Sequence, residues 1–208
     1  MIYTIPCDTF RRLAVVTGNT KPNETSEFFN SIYIEHKDGD AIAVASNMWI
    51  CAAEYIGRTT QPNGFINVAI TEQLVKQCDV EAPFASKFEI THVAMLNIAT
   101  LKSTFGFSVS DVLFKSSTVN WLKDWRSIVP KAMPRKSKGT LKIVAEQTTQ
   151  LARSAPSGRI IFPEFIDVDQ VVVVRDSIDP NWVAFFKPDL SNRNPPKITE
   201  ASIPEWIR

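Results

Sequence analysis

The sequence predicts an α+β protein in which a strand–helix–three-strand unit occurs three times along 208 residues. Two observations lead to this prediction. Short apolar stretches with strand periodicity alternate with three stretches of helical periodicity, and each helix follows one strand and precedes three more. One such unit cannot bury both its sheet face and its helix, so units must pack side by side, with antiparallel sheets and the helices on one face. The alternative is an ordinary α+β chain without internal repetition.

The first unit begins with a predicted strand at Ile2–Pro6. Asp8 or Thr9 can cap the following helix. The apolar face of that helix carries Phe10, Leu13, Ala14 and Thr17. The three strands that follow are predicted at Ser31–His36, Ala41–Ser46 and Ile50–Ile56. Between the first two, the sequence Lys-Asp-Gly-Asp at residues 37–40 predicts a hairpin turn.

The second and third units repeat this order. In the second, Thr71 caps a helix over Glu72–Cys78, and the strands are predicted at Phe65–Ala69, Lys87–His92, Ala94–Ile98 and Thr104–Val109. In the third, the helix is Gln147–Ser154, and the strands are predicted at Leu141–Ala145, Arg159–Phe162, Val168–Val174 and Trp182–Lys187. The predicted organisation is therefore a two-unit domain over residues 1–120, a basic linker over 121–139, a third, partial unit over 140–190 and an extended tail over 191–208.

Composition is that of a globular protein, with 44% hydrophobic and 22% charged residues. The net charge is +1, but residues 1–100 carry −4 and residues 101–208 carry +5. Three widely spaced cysteines, Cys7, Cys51 and Cys78, predict free buried thiols in a reducing compartment. There is no basic-then-apolar leader and no apolar stretch of roughly 18 residues. We therefore expect a cytoplasmic protein that does not enter a membrane.

The familiar signatures of catalysis and metal binding do not occur in the sequence. His36 and His92 lie far apart without a second ligand at metal-binding spacing. Nucleophile-elbow, phosphate-loop and dinucleotide motifs are missing. The pairs Asp38/Asp40 and Asp167/Asp169 could hold a hard cation, although Asp is common in turns such as those predicted there. We expect no enzyme activity and no cofactor; an active site assembled from distant residues is the alternative.

Basic residues suggest where a nucleic acid would bind. The predicted helices carry Arg11, Arg12, Lys76 and Arg153 on their polar sides. The linker adds Lys131, Arg135, Lys136 and Lys138. Such residues can contact phosphates without reading sequence, although the linker charges are equally consistent with a solvated loop. In the tail, Ile203, Trp206 and Ile207 are candidate anchors for a protein partner.

Three stretches resemble the DNA sliding clamps, in particular the bacterial polymerase III beta subunit. The first is Asp40–Asn47 followed by Cys51–Ala53, although Ser46-Asn47 stands where Thr-Asp is usual. The second is Ile66–Val75, and the third is the sequence Asp-Trp-Arg-Ser-Ile-Val-Pro at residues 124–130, where the preceding Leu-Lys replaces a common Phe-Pro. Three units correspond to one and a half clamp domains, whereas a clamp chain has an even number of units.

The resemblance implies a non-catalytic processivity factor of DNA replication or repair, with a phage or mobile element as one source of such a divergent member. It implies sequence-independent binding to double-stranded DNA, a DNA polymerase or other replication protein as partner, and a homo-oligomer that holds DNA by topology with weak backbone contacts. The alternative is a protein-interaction or regulatory module that has the clamp fold but does not bind DNA.

Overall fold

The computed structural model describes residues 2–17, 30–47, 49–81, 83, 87–93, 98–103, 112–117, 125–129, 145–165, 171–186 and 205–207. The first unit contains β1 (Ile2–Pro6), α1 (Cys7–Thr17), β2 (Ser31–Lys37), β3 (Asp40–Ser46) and β4 (Ile50–Arg58). The second contains β5 (Gly64–Ala69), α2 (Glu72–Glu81), β6 (Lys87–Val93), β7 (Ile98–Ser103) and β8 (Val112–Ser117). The third contains α3 (Ala145–Ser154), β9 (Ile160–Phe165), β10 (Val172–Asp176) and β11 (Trp182–Phe186). Two short 3-10 helices lie at Trp125–Ile128 and Glu205–Ile207.

The α+β prediction is confirmed, with every described strand pair antiparallel. The strands form one sheet in the order β1-β6-β7-β8-β5-β2-β3-β4-β11-β10-β9. The first strand of each of the first two units pairs with the other unit: β1 pairs with β6, and β5 pairs with β2. Neither unit therefore completes its own sheet, which is why the two must fold together. The third unit joins the first through pairing of β11 with β4.

Most element predictions in the first unit and at the start of the second are confirmed. Asp38 and Gly39 have φ values of 54° and 86°, as a tight hairpin between β2 and β3 requires. The Thr71 hydroxyl accepts a hydrogen bond from the Leu74 amide at 3.2 Å and so caps α2. On α1, the buried face includes Val16 in place of the predicted Ala14.

In the third unit the predicted helix and last strand are confirmed to within two residues. Two strand predictions in the second unit and one at the start of the third are not. The strand predicted at Ala94–Ile98 falls mostly outside the described residues, and β7 starts only at Ile98, which pairs with Val93. The strand predicted at Thr104–Val109 lies wholly outside them, and β8 covers Val112–Ser117. Ala145, predicted to end a strand, instead begins α3. The apolar residues near 94–98 show strand periodicity, but this pattern does not specify which residues of a neighbouring strand they face. Pairing of β7 with β6 fixes that register.

The sheet is buried on both faces at strands β2, β3, β4, β10 and β11. On one face, α1, with α2 and α3 packed on either side of it, covers a core that includes Phe10, Leu13, Ile34 and Trp182. On the other face, a second cluster includes Val44, Phe185 and Trp125. We call these the helical face and the outer face. All three cysteines are free and buried, as the sequence predicts.

Asp176 fixes the start of the β10–β11 turn. Its carboxylate accepts hydrogen bonds from the Ser157 amide and hydroxyl at 2.7 and 2.8 Å, and from the Ile178 and Asp179 amides at 2.7 and 2.9 Å. Burial acts to raise the pKa of Asp176, but these hydrogen bonds outweigh it and the pKa is lowered. The ionised carboxylate therefore stabilises the third unit.

We expect Asp176→Asn to lower the free energy of unfolding by about 1–3 kcal/mol at pH 7, because the amide nitrogen cannot accept from Ser157. A lowered pKa contributes stability above the unfolded value of about 3.9, and this contribution is lost as the pH falls through the folded value. Urea unfolding of both proteins at several pH values tests this. A difference between them that is the same at pH 7 and at pH 3 would contradict the role of the ionised carboxylate.

Candidate nucleic-acid interface

The candidate interface is the surface formed by α1, α2 and α3 on the helical face. Together these helices carry four basic residues (Arg11, Arg12, Lys76 and Arg153) and five acidic residues (Asp8, Glu72, Asp79, Glu81 and Glu146). A cleft of about 810 Å³ opens between the helices and is lined by Arg11, Thr71, Asp79 and Arg153, among others. The surface is therefore polar and close to neutral rather than strongly basic.

Arg11 lies on the exposed side of α1, as the sequence predicts. Its guanidinium pairs with Asp8 at 2.7 Å and approaches Asp79 of α2 at 3.9 Å. Lys76 pairs with Glu72 at 2.6 Å on the exposed surface of α2. Exposed pairs of this kind are weak and exchange readily with other anions, so both cations stay accessible to a phosphate.

Arg153 lies on α3 and lines the same cleft as Arg11. Among the described residues, Arg153 makes no ion pair. The structure thus brings Arg11 and Arg153 from two different units to one cleft, although the sequence places them 142 positions apart.

The prediction that Arg12 lies on the polar side of α1 is wrong. Its side chain is 10% exposed, and its guanidinium binds the buried Glu54 of β4 at 2.6 Å and also pairs with Asp8. The Thr9 hydroxyl donates a second hydrogen bond to Glu54, at 2.7 Å. Burial raises the pKa of Glu54, while Arg12 and Thr9 oppose the rise. The ion pair of Arg12 with Glu54 holds α1 on the sheet. Arg12 could therefore contact a phosphate only if this buried pair were broken.

Glu54 is the residue that sequence reasoning missed. In β4 the side chains of Ile50 and Ala52 point to the helical face, so the alternation places Glu54 on that face as well. A carboxylate at an inward position needs a buried cation or several hydrogen-bond donors. That alternation was the available signal: it predicts that Glu54 needs a buried cation, although it does not by itself identify Arg12 as that cation.

Two other predicted features have structural explanations. Asp40 accepts a hydrogen bond from the Tyr55 hydroxyl at 3.3 Å and pairs with Arg58 at 3.1 Å, in keeping with a turn rather than a cation site. His36 is buried with its ring 4.6 Å from that of Tyr3, and burial lowers its pKa. Within the described residues, no group of three or more His, Cys, Asp or Glu side chains is arranged to hold a metal ion. The described part of the chain also contains no helix long and apolar enough to cross a membrane.

No protein-family model matches this chain, and no curated protein matches it. Several solved structures do match it. The DNA polymerase sliding clamp from Pseudomonas aeruginosa matches with a TM-score of 0.64 at 11% identity, over 91% of this chain and 66% of the clamp. The DNA polymerase sliding clamp from Caulobacter crescentus matches with a TM-score of 0.57 at 9% identity, over 100% of this chain and 68% of the clamp. The fold is that of the DNA sliding clamps.

The sliding-clamp fold agrees with the resemblance found in the sequence. The chain spans about two thirds of the length of the clamps that it matches. Identities near 10% establish the fold alone and do not transfer an activity or a partner to this chain.

The remaining predicted contacts fall into two groups. Lys131, Arg135, Lys136, Lys138 and Ile203 lie outside the described residues. Arg126, which lies in the predicted basic linker but is not one of the predicted contacts, binds Glu35 of β2 at 2.6 Å. Trp206 and Ile207 pack on the outer face, where Ile207 is 1% exposed.

Proposed function

We propose that this chain is a non-catalytic accessory protein of DNA replication or repair that holds duplex DNA in the manner of a sliding clamp. The observation that carries the proposal is the sliding-clamp fold, with α1, α2 and α3 together on one face of a continuous sheet. A DNA polymerase or another replication protein is the proposed protein partner. The proposed site of action is the cytoplasm.

The near-neutral helical surface supports retention by enclosure rather than by tight contact. A protein that neutralises many phosphates binds strongly at low salt and loses that affinity steeply as salt rises. Here Arg11 and Lys76 are each balanced by a carboxylate within ion-pair distance. Only a few phosphate contacts are then available from the described helices, which suits a protein that must move along DNA.

Enclosure requires more than one copy of this chain, because the described strands of one chain form an open sheet rather than a closed ring. Open sheet edges offer one way for copies to associate. We expect light scattering coupled to size exclusion to show an oligomer at micromolar concentration. A mass that stays at one chain, 23.3 kDa, at every concentration and with DNA present would contradict enclosure by this protein.

A second candidate is a clamp-fold interaction module that does not bind DNA, and the same charge balance on the helices favours it. Fluorescence anisotropy with two unrelated duplexes of equal length separates the two. Equal, weak and salt-sensitive binding to both duplexes supports the DNA role. The absence of binding at low salt, both to these duplexes and to a closed circle of DNA on which the protein is assembled, supports the interaction module.

A further inference from the structure

The outer face of the sheet is apolar where the first and third units meet. Strand residues that point away from the helices include Val44, Cys51, Val183 and Phe185, and all of them are buried. A sheet face of this kind, left open to water, would attract other apolar surfaces. In the part of the chain that the structure describes, two short segments, which are not adjacent in sequence, cover it.

The first segment is Trp125–Val129, and both an ion pair and apolar packing hold it on the sheet. Trp125 is buried in the cluster, and the guanidinium of Arg126 lies 4.5 Å from the centre of its indole ring. The same guanidinium binds the half-buried Glu35 at 2.6 Å. Release of this segment would break the Arg126–Glu35 ion pair and would expose the buried indole ring of Trp125.

The second segment, residues 205–207, is attached differently. Ile207 is 1% exposed within the cluster, and the ring of half-buried Trp206 lies 6.0 Å from that of Tyr55 on β4. Among the described residues, no hydrogen bond or ion pair joins the side chain of Trp206 or Ile207 to the sheet. The attachment therefore depends on apolar burial by two side chains.

We propose that residues 205–207 form a releasable strap, an intramolecular ligand that covers the outer face at the β4–β11 junction and exposes it on release. Burial of one aromatic and one aliphatic side chain is worth only a few kcal/mol, so an attachment of this kind opens without unfolding the sheet. The strap does not depend on the proposed DNA binding.

The length of the connection favours repeated release and return. Residues 187–204 separate the strap from β11. A connection of this length gives an intramolecular ligand an effective concentration on the order of millimolar. The intact chain should therefore exclude a free peptide of the same sequence, and a chain with a weakened strap should admit it.

The test uses the full chain with Trp206→Ala and Ile207→Ala combined, and Trp49→Ala as the control. Trp49 is a 52% exposed tryptophan on the β3–β4 turn, so its removal leaves the outer face unchanged. Amide hydrogen exchange in residues 50–58 and 182–186 should be at least 10-fold faster in the double variant. Exchange in the β1–β6 pairing and throughout the Trp49 variant should match the original chain.

A labelled peptide of residues 199–208 provides the second measurement. It should bind the double variant at least 10-fold more tightly than it binds the original chain, and a peptide with both Trp206 and Ile207 replaced by alanine should bind neither. If the double variant exchanges faster everywhere, the milder Trp206→Phe and Ile207→Val variants replace it in both measurements. Unchanged exchange at the β4–β11 junction together with no peptide binding would overturn the strap.

Discussion

Replacing Arg12 by alanine is expected to lower the free energy of unfolding by about 3–5 kcal/mol, because it leaves a buried carboxylate without its cation. Glu54 lies between α1 and the sheet, and Arg12 supplies its only ion pair among the described residues, at 2.6 Å. Urea unfolding at pH 7 measures the loss. Arg11→Ala is the matched control: it removes an exposed arginine one position away, and we expect a change within about 0.5 kcal/mol.

The pH dependence of the Arg12 variant identifies the cause of its instability. Burial raises the pKa of Glu54, and the loss of Arg12 raises it further. A carboxyl group whose folded pKa is raised stabilises the fold at low pH, and that contribution is lost as the pH rises through the folded value. The defect should therefore shrink as the pH falls toward 4. A defect that is constant with pH would mean that lost packing, rather than an unpaired charge, destabilises the variant.

The combined Arg135→Ala, Lys136→Ala and Lys138→Ala variant is expected to show the second large effect, a loss of DNA retention. If each of the three side chains contacts one phosphate, the negative slope of log affinity against log salt should become shallower by about 2.7, since each contact contributes about 0.9. Anisotropy titrations between 50 and 200 mM salt measure the slope.

A charge-matched control is available elsewhere on the chain. Lys37, Lys87 and Arg159 are exposed, and none lies on α1, α2 or α3. Their combined replacement by alanine also removes three positive charges, so it reports the effect of net charge alone. If both triple variants retain the original salt slope, the basic linker over residues 121–139 is a solvated loop and does not contact phosphates.

Local sequence patterns predicted the fold at two places where one or two residues decide the structure, but not at the start of α1, which begins at Cys7, before the predicted caps Asp8 and Thr9. Asp38-Gly39 predicted the hairpin because this turn needs positive φ at both positions, and both have it. Thr71 predicted the start of α2 because its hydroxyl caps the first turn. Beyond β6, the apolar runs fitted several registers, and only pairing with neighbouring strands chose among them.

The candidate site was harder to predict because it depends on contacts between distant residues. Arg12 lies on α1 between an exposed and a buried stripe, so helical periodicity alone leaves its direction open. The cover of the outer face was missed for a similar reason. Trp125 and Ile207 lie in segments with little secondary-structure propensity, yet β3 and β11 carry apolar residues on both faces and therefore need a cover on each.

The most direct test of clamp-like function compares retention of this protein on closed circular DNA and on the same DNA after it has been cut once. The protein should be assembled on the circle, by a loading factor or by assembly from subunits, and then challenged with high salt. A protein that encloses DNA should stay on the circle and leave the cut molecule over its ends. Equal retention on the two forms would contradict enclosure and would leave ordinary electrostatic binding as the explanation.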